Sequence, residues 1–276
     1  MLFTVDPVKC NRCGICVEAC GPLLIEMQSE GALPTPVTGG EILCIDCGHC
    51  VAVCPTGALS RDSMAPEECP EIQERLFISE EQAEQFFRSR RSIRSYQSRP
   101  VEREKLARLV QVAGYAPSAH NARPVHLVAT EDLVATRHLS GMIIDWMRLV
   151  LEETPAVAQS YRFDRLVRYW DNGKDLISRN APHLIIAHAP EKAGMAREDC
   201  VLALAYMELA AGTLGLGATW AGYIMAAVSA SPPLVESIGL PESHKCHGVL
   251  MIGYPRFKYA RLPVRHPPAV AWRGSV

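Results

Sequence analysis

The sequence predicts an α+β protein in two parts: a small domain organised by cysteines, then a larger domain of helices and short strands. Eight of the eleven cysteines are confined to residues 10–54. Beyond residue 80, apolar positions recur at helical spacing, and short apolar runs of strand length lie between them. A chain of 276 residues with 48% hydrophobic side chains is long and apolar enough for two cores.

The first part repeats one spacing. Cys10, Cys13, Cys16 and Cys20 are followed by Cys44, Cys47, Cys50 and Cys54, with Pro55 directly after the last. Three thiols at three-residue steps on a tight loop, with a fourth slightly beyond, suit a cubane iron–sulfur cluster, so two 4Fe-4S clusters are expected. In the two-cluster arrangement the fourth cysteine of each run serves the other cluster. The expected sets are therefore Cys10, Cys13, Cys16 and Cys54 for one, and Cys44, Cys47, Cys50 and Cys20 for the other. Zinc prefers two cysteine pairs across a longer loop, and disulfide frameworks belong to secreted chains. Met1-Leu2-Phe3-Thr4-Val5-Asp6-Pro7 has neither the basic start nor the apolar run of a secretory signal, so a reducing cytoplasm is expected. The repeat extends to Cys13-Gly14-Ile15-Cys16-Val17 and Cys47-Gly48-His49-Cys50-Val51, with each glycine placed where backbone must pass close to cluster sulfur. One departure is Gly21-Pro22 after Cys20, where the second run has proline at once.

Charge separates the two parts. Residues 1–60 hold six acids (Asp6, Glu18, Glu26, Glu30, Glu41 and Asp46) against Lys9 and Arg12, a net of -4; the whole chain is -2, which leaves the remainder at +2. Cluster ligation adds negative charge, so the first part reads as an acidic lobe, either a docking surface for a basic redox partner or a solvated face. The small overall charge gives no reason to expect nucleic acid. Residues 209–235 contain no charged side chain, but Gly212, Gly215, Gly217 and Gly222 with many alanines lower their apolarity, and no membrane span is expected.

The expected domains are 1–62 and 80–276, with a linker over 63–79 marked by Pro66, Pro70, Glu67 and Glu68. Ser79 and Gln82 form a capping-box pattern that opens a helix running to Arg90. A second helix over 102–113 repeats Leu106, Leu109, Val110 and Ala113 before Gly114 stops it. Val125–Ala129, Leu184–Ala187, Ala218–Ile224 and Gly248–Ile252 read as strands. Residues 141–180 read as interrupted helix, in which Trp146, Tyr169 and Trp170 either wall a pocket or pack a core. A helix from Asp199 to Leu214 carries Ala203, Ala205, Ala210, Ala211 and Gly212, small enough for close helix approach. His244, Cys246 and His247 are a sparse metal-ligand pattern, and Cys200 reads as a small buried hydrophobe.

Five motifs follow one another from Arg90 onward: Arg90-Arg91-Ser92-Ile93-Arg94, Ala116-Pro117-Ser118-Ala119-His120-Asn121, Ala181-Pro182-His183-Leu184-Ile185-Ile186, Leu209 to Gly217, and Gly248 to Pro255. In these the chain resembles the nitroreductase family of flavin enzymes over most of 80–270. With its N-terminal part it looks like the ferredoxin–nitroreductase fusions found in anaerobes. The resemblance implies a central, mainly antiparallel sheet and an intertwined homodimer holding FMN at the subunit interface; a tightly packed monomer core is the alternative for the small-residue helix.

It also implies a cofactor site. Arg90, Arg91, Ser92 and Arg94 match the phosphate-binding segment, and guanidiniums beside a hydroxyl are suited to a phosphate dianion. From the C-terminal tail Arg265, with Arg261 as the other candidate, would close over that phosphate. Pro117, Ser118, Ala119 and Asn121 match the loop on the flavin ribityl chain and ring edge, where an amide both donates and accepts; Arg123 stands where relatives often have glutamine. Trp220, Ala221 and Gly222 match the segment whose backbone approaches flavin N5. No protein side chain is expected as a catalytic nucleophile, because flavin N5 carries the chemistry. His120 either contacts substrate or is structural.

The expected function is an FMN-dependent oxidoreductase that passes electrons through two 4Fe-4S clusters to or from FMN. Its acceptor would be a small organic molecule such as a nitroaromatic, quinone, activated alkene or halogenated compound. Ferredoxin or NAD(P)H is the expected donor. The alternative is a non-enzymatic electron carrier or redox sensor whose second domain is a docking module. Arg91→Ala and Arg94→Ala discriminate between the two through flavin content.

Overall fold

The structure, a computed structural model, describes residues 2–274; Met1, Ser275 and Val276, at the outer ends of the two expected domains, lie outside the described residues. Two compact units divide the chain: Met1–Ile78 with Ala119–Ala122, and Ser79–Ser118 with Arg123–Val276.

Along the first unit run β1 (Thr4–Val5), α1 (Ile15–Glu18), β2 (Ile25–Glu26), β3 (Thr35–Pro36), α2 (Gly40–Leu43), α3 (His49–Ala52) and β4 (Leu59–Ser60). Gly14 and Gly48 adopt left-handed backbone, φ 74° and 72°, and each opens a one-turn helix, α1 or α3. Only glycine takes that conformation without a Cβ penalty, so the repeated glycines are fixed by backbone geometry. β1 pairs antiparallel with β4 and β2 with β3. Between them Leu2, Phe3, Leu24, Ile25, Val51 and Leu59 form a small core against which Cys16, Cys20, Cys44, Cys50 and Cys54 pack.

The expected linker over 63–79 is fastened in its first part. Arg61 and Met64 exchange backbone hydrogen bonds, the Cys69 thiol donates to the Ala65 carbonyl, and Lys9 pairs with Glu67 at 3.4 Å. Among the described residues the 70–78 stretch is exposed and carries only one turn of 3-10 helix, Glu74–Leu76.

The second unit contains α4 (Glu80–Ser89), α5 (Arg103–Ala113), β5 (His126–Ala129), α6 (Leu133–Glu153), α7 (Pro155–Tyr161), α8 (Phe163–Asp171), β6 (His183–Pro190), α9 (Ala196–Thr213), β7 (Gly217–Trp220), α10 (Gly222–Ala230), α11 (Pro232–Ile238) and β8 (His244–Gly253). The strands form one antiparallel sheet in the order β5-β6-β8-β7.

Period-2 alternation assigns each central-strand side chain to one of two cores. Leu184 and Ile186 of β6, with Val249 and Met251 of β8, face a layer made by α6, α7, α8, α10 and α11. Ile185, Ala187 and Ala189, with Leu250 and Ile252, face α5 and α9. Both faces are covered, which is why β6 is apolar almost throughout rather than alternating with polar residues. Each fully buried Leu or Ile contributes about 1.5–3 kcal/mol relative to exposure.

The N-terminal capping box is formed as the sequence suggests: Ser79 Oγ accepts from Gln82 N at 3.2 Å and Gln82 Oε1 accepts from Ser79 N at 2.9 Å. The strand expected over Ala218–Ile224 is shorter. β7 ends at Trp220, Ala221 N makes a last bond to Val249 O, and α10 begins at Gly222. Alanines at 226 and 227 favour helix once the sheet edge is left behind. The interrupted helical reading of 141–180 resolves into α6, α7 and α8, with Trp146 and Trp170 packed against the core and Tyr161 stacked on Phe163. Among the described residues no helix is long and apolar enough to cross a membrane.

Candidate functional site

In the first unit the eight repeat cysteines line two separate cavities. Cys10, Cys13, Cys16 and Cys54 line one, and Cys20, Cys44, Cys47 and Cys50 line the other. Chain geometry produces this exchange: each run of three wraps one cavity through its glycine turn, and the short helix that follows carries the fourth cysteine away to the other.

Two sulfurs accept backbone amides in matching positions, Cys20 from Leu24 N and Cys54 from Ala58 N, both at 3.3 Å. Burial pushes the Cys16 thiol up, and the neighbouring Cys54, Cys10 and Cys13 push the same way. Burial likewise raises Cys50, with Arg61 opposing it. At Cys54 burial is outweighed by amides of Ala58, Thr56 and Leu59 and by the Thr56 hydroxyl, which hold the thiol below its ordinary value. Thiolates in fours, supported by amide donors and ringed by apolar side chains, are a donor set suited to a cubane cluster at each cavity.

Arg61 is a residue that sequence reading passes over, near the end of the first expected domain. Its guanidinium reaches Cys44 Sγ at 2.9 Å and Leu2 O at 3.0 Å through Nη1, and Asp46 Oδ1 at 2.9 Å through Nε. Asn121 also belongs to this unit; its side-chain amide donates to Ile45 O at 3.1 Å and Asp46 O at 2.9 Å. Ala119–Asn121 form a tight turn in which His120 and Asn121 have φ of 51° and 54°.

In the second unit a cavity of about 780 Å³ is lined by Arg90, Arg91, Arg99, Lys105 and Lys258 against one carboxylate, Glu208. Arg90 pairs with Glu208 at 2.8 Å, and Arg91 donates to the carbonyls of Arg90 and Arg88. The segment is held to the sheet by Ile93 N on Ala218 O at 3.0 Å and by Tyr96 Oη donating to Ile93 O at 2.7 Å. Ser92 is half-buried and Arg94 exposed. Glu208 is the second residue missed by sequence reading. Its other oxygen accepts from Trp220 Nε1 at 3.2 Å, so one carboxylate joins the Arg90 and Trp220 segments. The available signal was a single acid inside the apolar half of α9.

Open space suits a bulky cofactor here. A Cβ placed on Gly212 or Gly215, which line this cavity, would meet no atom within 4 Å, and the same holds for Gly222, which lies outside its lining. Ala221, by contrast, is buried. Pro117 and Ser118 line a different cavity of the same unit, about 340 Å³, together with Arg123, Asp199 and Ala203. Ser118 Oγ accepts from Arg123 N at 3.0 Å. Arg265 and Arg261 lie on an exposed tail without regular structure. The cavity size and basic lining fit a phosphate-bearing flavin by volume and charge.

Other conspicuous residues are structural. His183 is buried, accepting from Val101 N at 3.0 Å while its Nδ1 faces Thr130 O at 3.0 Å, which makes Nδ1 the protonated nitrogen. Cys200 is fully buried and its thiol is pushed up to about 12, chiefly by burial. Among the described residues no group of three or more His, Cys, Asp or Glu side chains converges tightly enough for a single metal ion, His244, Cys246 and His247 included.

A unit with two four-cysteine cavities, joined to a unit whose antiparallel sheet is covered by helices on both faces, has the make-up of an iron–sulfur oxidoreductase with a ferredoxin-type N-terminal domain. Residues 9–59 match the 4Fe-4S dicluster domain and residues 87–254 match the nitroreductase family. The chain belongs to the nitroreductase family, as a ferredoxin–nitroreductase fusion of the flavin oxidoreductase class.

A protein of Methanothermobacter thermautotrophicus, provisionally named an NADH dehydrogenase/NAD(P)H nitroreductase, is 30% identical over 61% of this chain and 74% of its own length. One of the same name from Archaeoglobus fulgidus is 26% identical over 61% of this chain and 82% of its own. The cluster unit is 32% identical to part of the polyferredoxin protein MvhB of M. thermautotrophicus, covering 28% of this chain and 18% of that protein. Among solved structures, the fold is similar to a BluB-like flavoprotein from Clostridium difficile, with TM-score 0.54 and 18% identity over 67% of this chain and 94% of that one. It is also similar to a nitroreductase with bound FMN from Bacteroides fragilis, with TM-score 0.52 and 22% identity over 70% and 96%.

Proposed function

We propose that the protein is an FMN-dependent oxidoreductase whose two cysteine sets each hold a 4Fe-4S cluster and whose second unit reduces a small organic acceptor. The observation that carries this reading is the pair of four-thiol cavities in a chain whose other unit has a nitroreductase fold and a basic cavity. Clusters supply single-electron transfer, and a flavin converts single electrons to two-electron chemistry. Cys10, Cys13, Cys16 and Cys54 are the ligands of one cluster, and Cys44, Cys47, Cys50 and Cys20 those of the other.

The chain's own residues bind and orient. Arg90, Arg91, Ser92 and Arg94, with Arg265 from the tail, receive the FMN phosphate. Arg90 must then share its guanidinium with Glu208, which holds it in place at 2.8 Å. Trp220, Ala221 and Gly222 line the N5 side, where the open space at Gly222 lets backbone approach the ring. Pro117 and Ser118 would meet the ribityl chain and ring edge; the same role for Ala119 and Asn121 stands on the resemblance alone, since they group with the first unit and the Asn121 amide donates to Ile45 O and Asp46 O. A homodimer is part of this reading: Leu202 and Tyr206, one helical turn apart on α9, are exposed beside half-buried Ala205 and Ala210. The acceptor is a nitroaromatic, quinone, activated alkene or halogenated compound. A ferredoxin or NAD(P)H is the donor, and NAD(P)H stands in the names of two relatives. The location is the cytoplasm.

A second reading, an electron carrier or sensor with a docking domain, is favoured by the Arg91 guanidinium being taken up by the carbonyls of Arg90 and Arg88. Flavin content decides. With Arg91→Ala and Arg94→Ala combined, the FMN released on denaturation is expected to fall at least tenfold, reflecting loss of charge-assisted phosphate bonds. Unchanged content would leave the oxidoreductase reading without its main support. An anaerobic acceptor screen run separately with reduced ferredoxin and NADH then identifies the donor.

A further inference from the structure

We propose that Arg61 makes the two cysteine sets of the N-terminal unit electronically unequal, giving the cluster of Cys20, Cys44, Cys47 and Cys50 the higher reduction potential. The inference rests on the two-cluster reading above and adds a direction to it.

The unit offers an internal control. Aligning the two runs cysteine on cysteine sets Cys20 opposite Cys54 and Leu24 opposite Ala58. The amide bonds from Leu24 to Cys20 and from Ala58 to Cys54 are both 3.3 Å long, one in each set, so these two cancel between the clusters; the Thr56 and Leu59 amides beside Cys54 add support to the other set, but they are neutral donors against the full charge of Arg61. The same alignment puts Arg61 opposite Met27 and Asp46 opposite Arg12. A cation therefore touches sulfur in the Cys44 set, while a thioether stands at the glycine turn of each run, Met27 3.6 Å from the Cβ position of Gly14 and Met64 2.7 Å from that of Gly48, so the thioethers do not distinguish the sets. Thr56 adds a weak contact to Cys54 at 3.7 Å, longer and uncharged.

Reduction places one more negative charge on a cluster, so a fixed cation bonded to a ligand sulfur favours the reduced form. The guanidinium is fixed by four bonds' worth of geometry: Cys44 Sγ and Leu2 O on Nη1, Asp46 Oδ1 on Nε, and Ser63 Oγ bracing the same carboxylate at 2.6 Å. Its side chain is only 14% exposed, so water screens it little. Asp46 offsets part of the charge, yet it binds at Nε while Nη1 faces the sulfur. Arg12, the cation of the other run, is exposed at the cavity rim and is screened by solvent.

An electron delivered by a one-electron reductant is thus held preferentially at the Cys20/Cys44/Cys47/Cys50 set. The Ile45 and Asp46 carbonyls of that same run take the Asn121 amide, so this set is the one bonded to the 119–122 segment.

The test is a mediated redox titration of the anaerobic full-length protein, reduced with dithionite and followed by EPR, with iron and sulfide assayed on every sample. Cys13→Ser and Cys47→Ser assign the two signals to their sites. The expected result is two separated potentials, the higher on the Cys47 side. Arg61→Met is expected to lower that one alone and bring the pair together, Arg61→Lys to lower it less. Asp46→Asn, which keeps Arg61, is expected to raise it and keeps the test decisive if Arg61→Met fails to assemble. The proposal is overturned if the higher potential lies on the Cys13 side, or if these variants move both potentials equally or neither. About eight irons per chain with equal potentials would overturn this inference alone; about four or none would overturn the two-cluster reading beneath it.

Discussion

At Gly217, β7 runs so close to the Arg90–Arg94 segment that an added Cβ would lie 2.4 Å from Ile93 Cγ1 and 2.7 Å from Ile93 Cβ. Neither atom is the far end of a flexible chain, and Ile93 N is already bonded to Ala218 O. Gly217→Ala is therefore expected to cost about 1–3 kcal/mol through overpacking, read from urea midpoints, and to loosen the arginine segment. The motif Leu209 to Gly217 is visible in sequence, but the reason for its last glycine is a neighbour 124 positions away in the chain. His188 behaves similarly. It is buried beside His126 and His244, with its Nδ1 2.8 Å from that of His244, one ring donating and the other accepting. Burial first, then His244 and His126, hold its pKa down to about 4 from 6.5. Because the folded state prefers the neutral ring, this contribution to stability is complete above pH 6.5 and is lost as pH falls toward 4. The Lys245–Glu191 pair, between β8 and the residue after β6, is exposed and screened. His188→Phe should flatten the fall in urea midpoint between pH 7 and 5; an unchanged slope would assign it to other groups.

Among elements, those with local causes were readable from the chain. The Ser79–Gln82 box opens α4, Gly114 closes α5, and the glycines of both cysteine runs open α1 and α3, each through contacts within four residues. β7 is shorter than the apolar run that contains it because Gly222 to Ala230 is apolar enough for either state, and helix wins once the last sheet bond is made at Ala221. The cysteine runs make a prediction at this scale. α1 and α3 each carry the fourth thiol from one cavity to the other, so Cys54→Ala is expected to damage the cluster of residues 10–16 while leaving most of the neighbouring signal. EPR of the reduced protein checks it, and the opposite selectivity would refute the crossed sets.

For the whole molecule, the fused units predict a composition: anaerobically purified protein should be brown, contain about eight irons per chain and release FMN when denatured. Zinc in place of iron would end the electron-transfer reading. The exposed Leu202 and Tyr206 of α9 predict a dimer by light scattering, and Leu202→Glu with Tyr206→Glu should shift it to monomer with loss of bound flavin.

The sequence by itself determined the two-part organisation, the cysteine spacing, the glycine turns and the chain's family, since each depends on residue type at short separation. Only the tertiary structure decided that Arg61 touches Cys44, that Glu208 joins Arg90 to Trp220, and that Asn121 lies on the Ile45–Asp46 carbonyls. Their reach is set by packing across cores and cavities. An isolated arginine or glutamate has no periodicity to announce its partner, and burial alone makes its charge strong enough to matter.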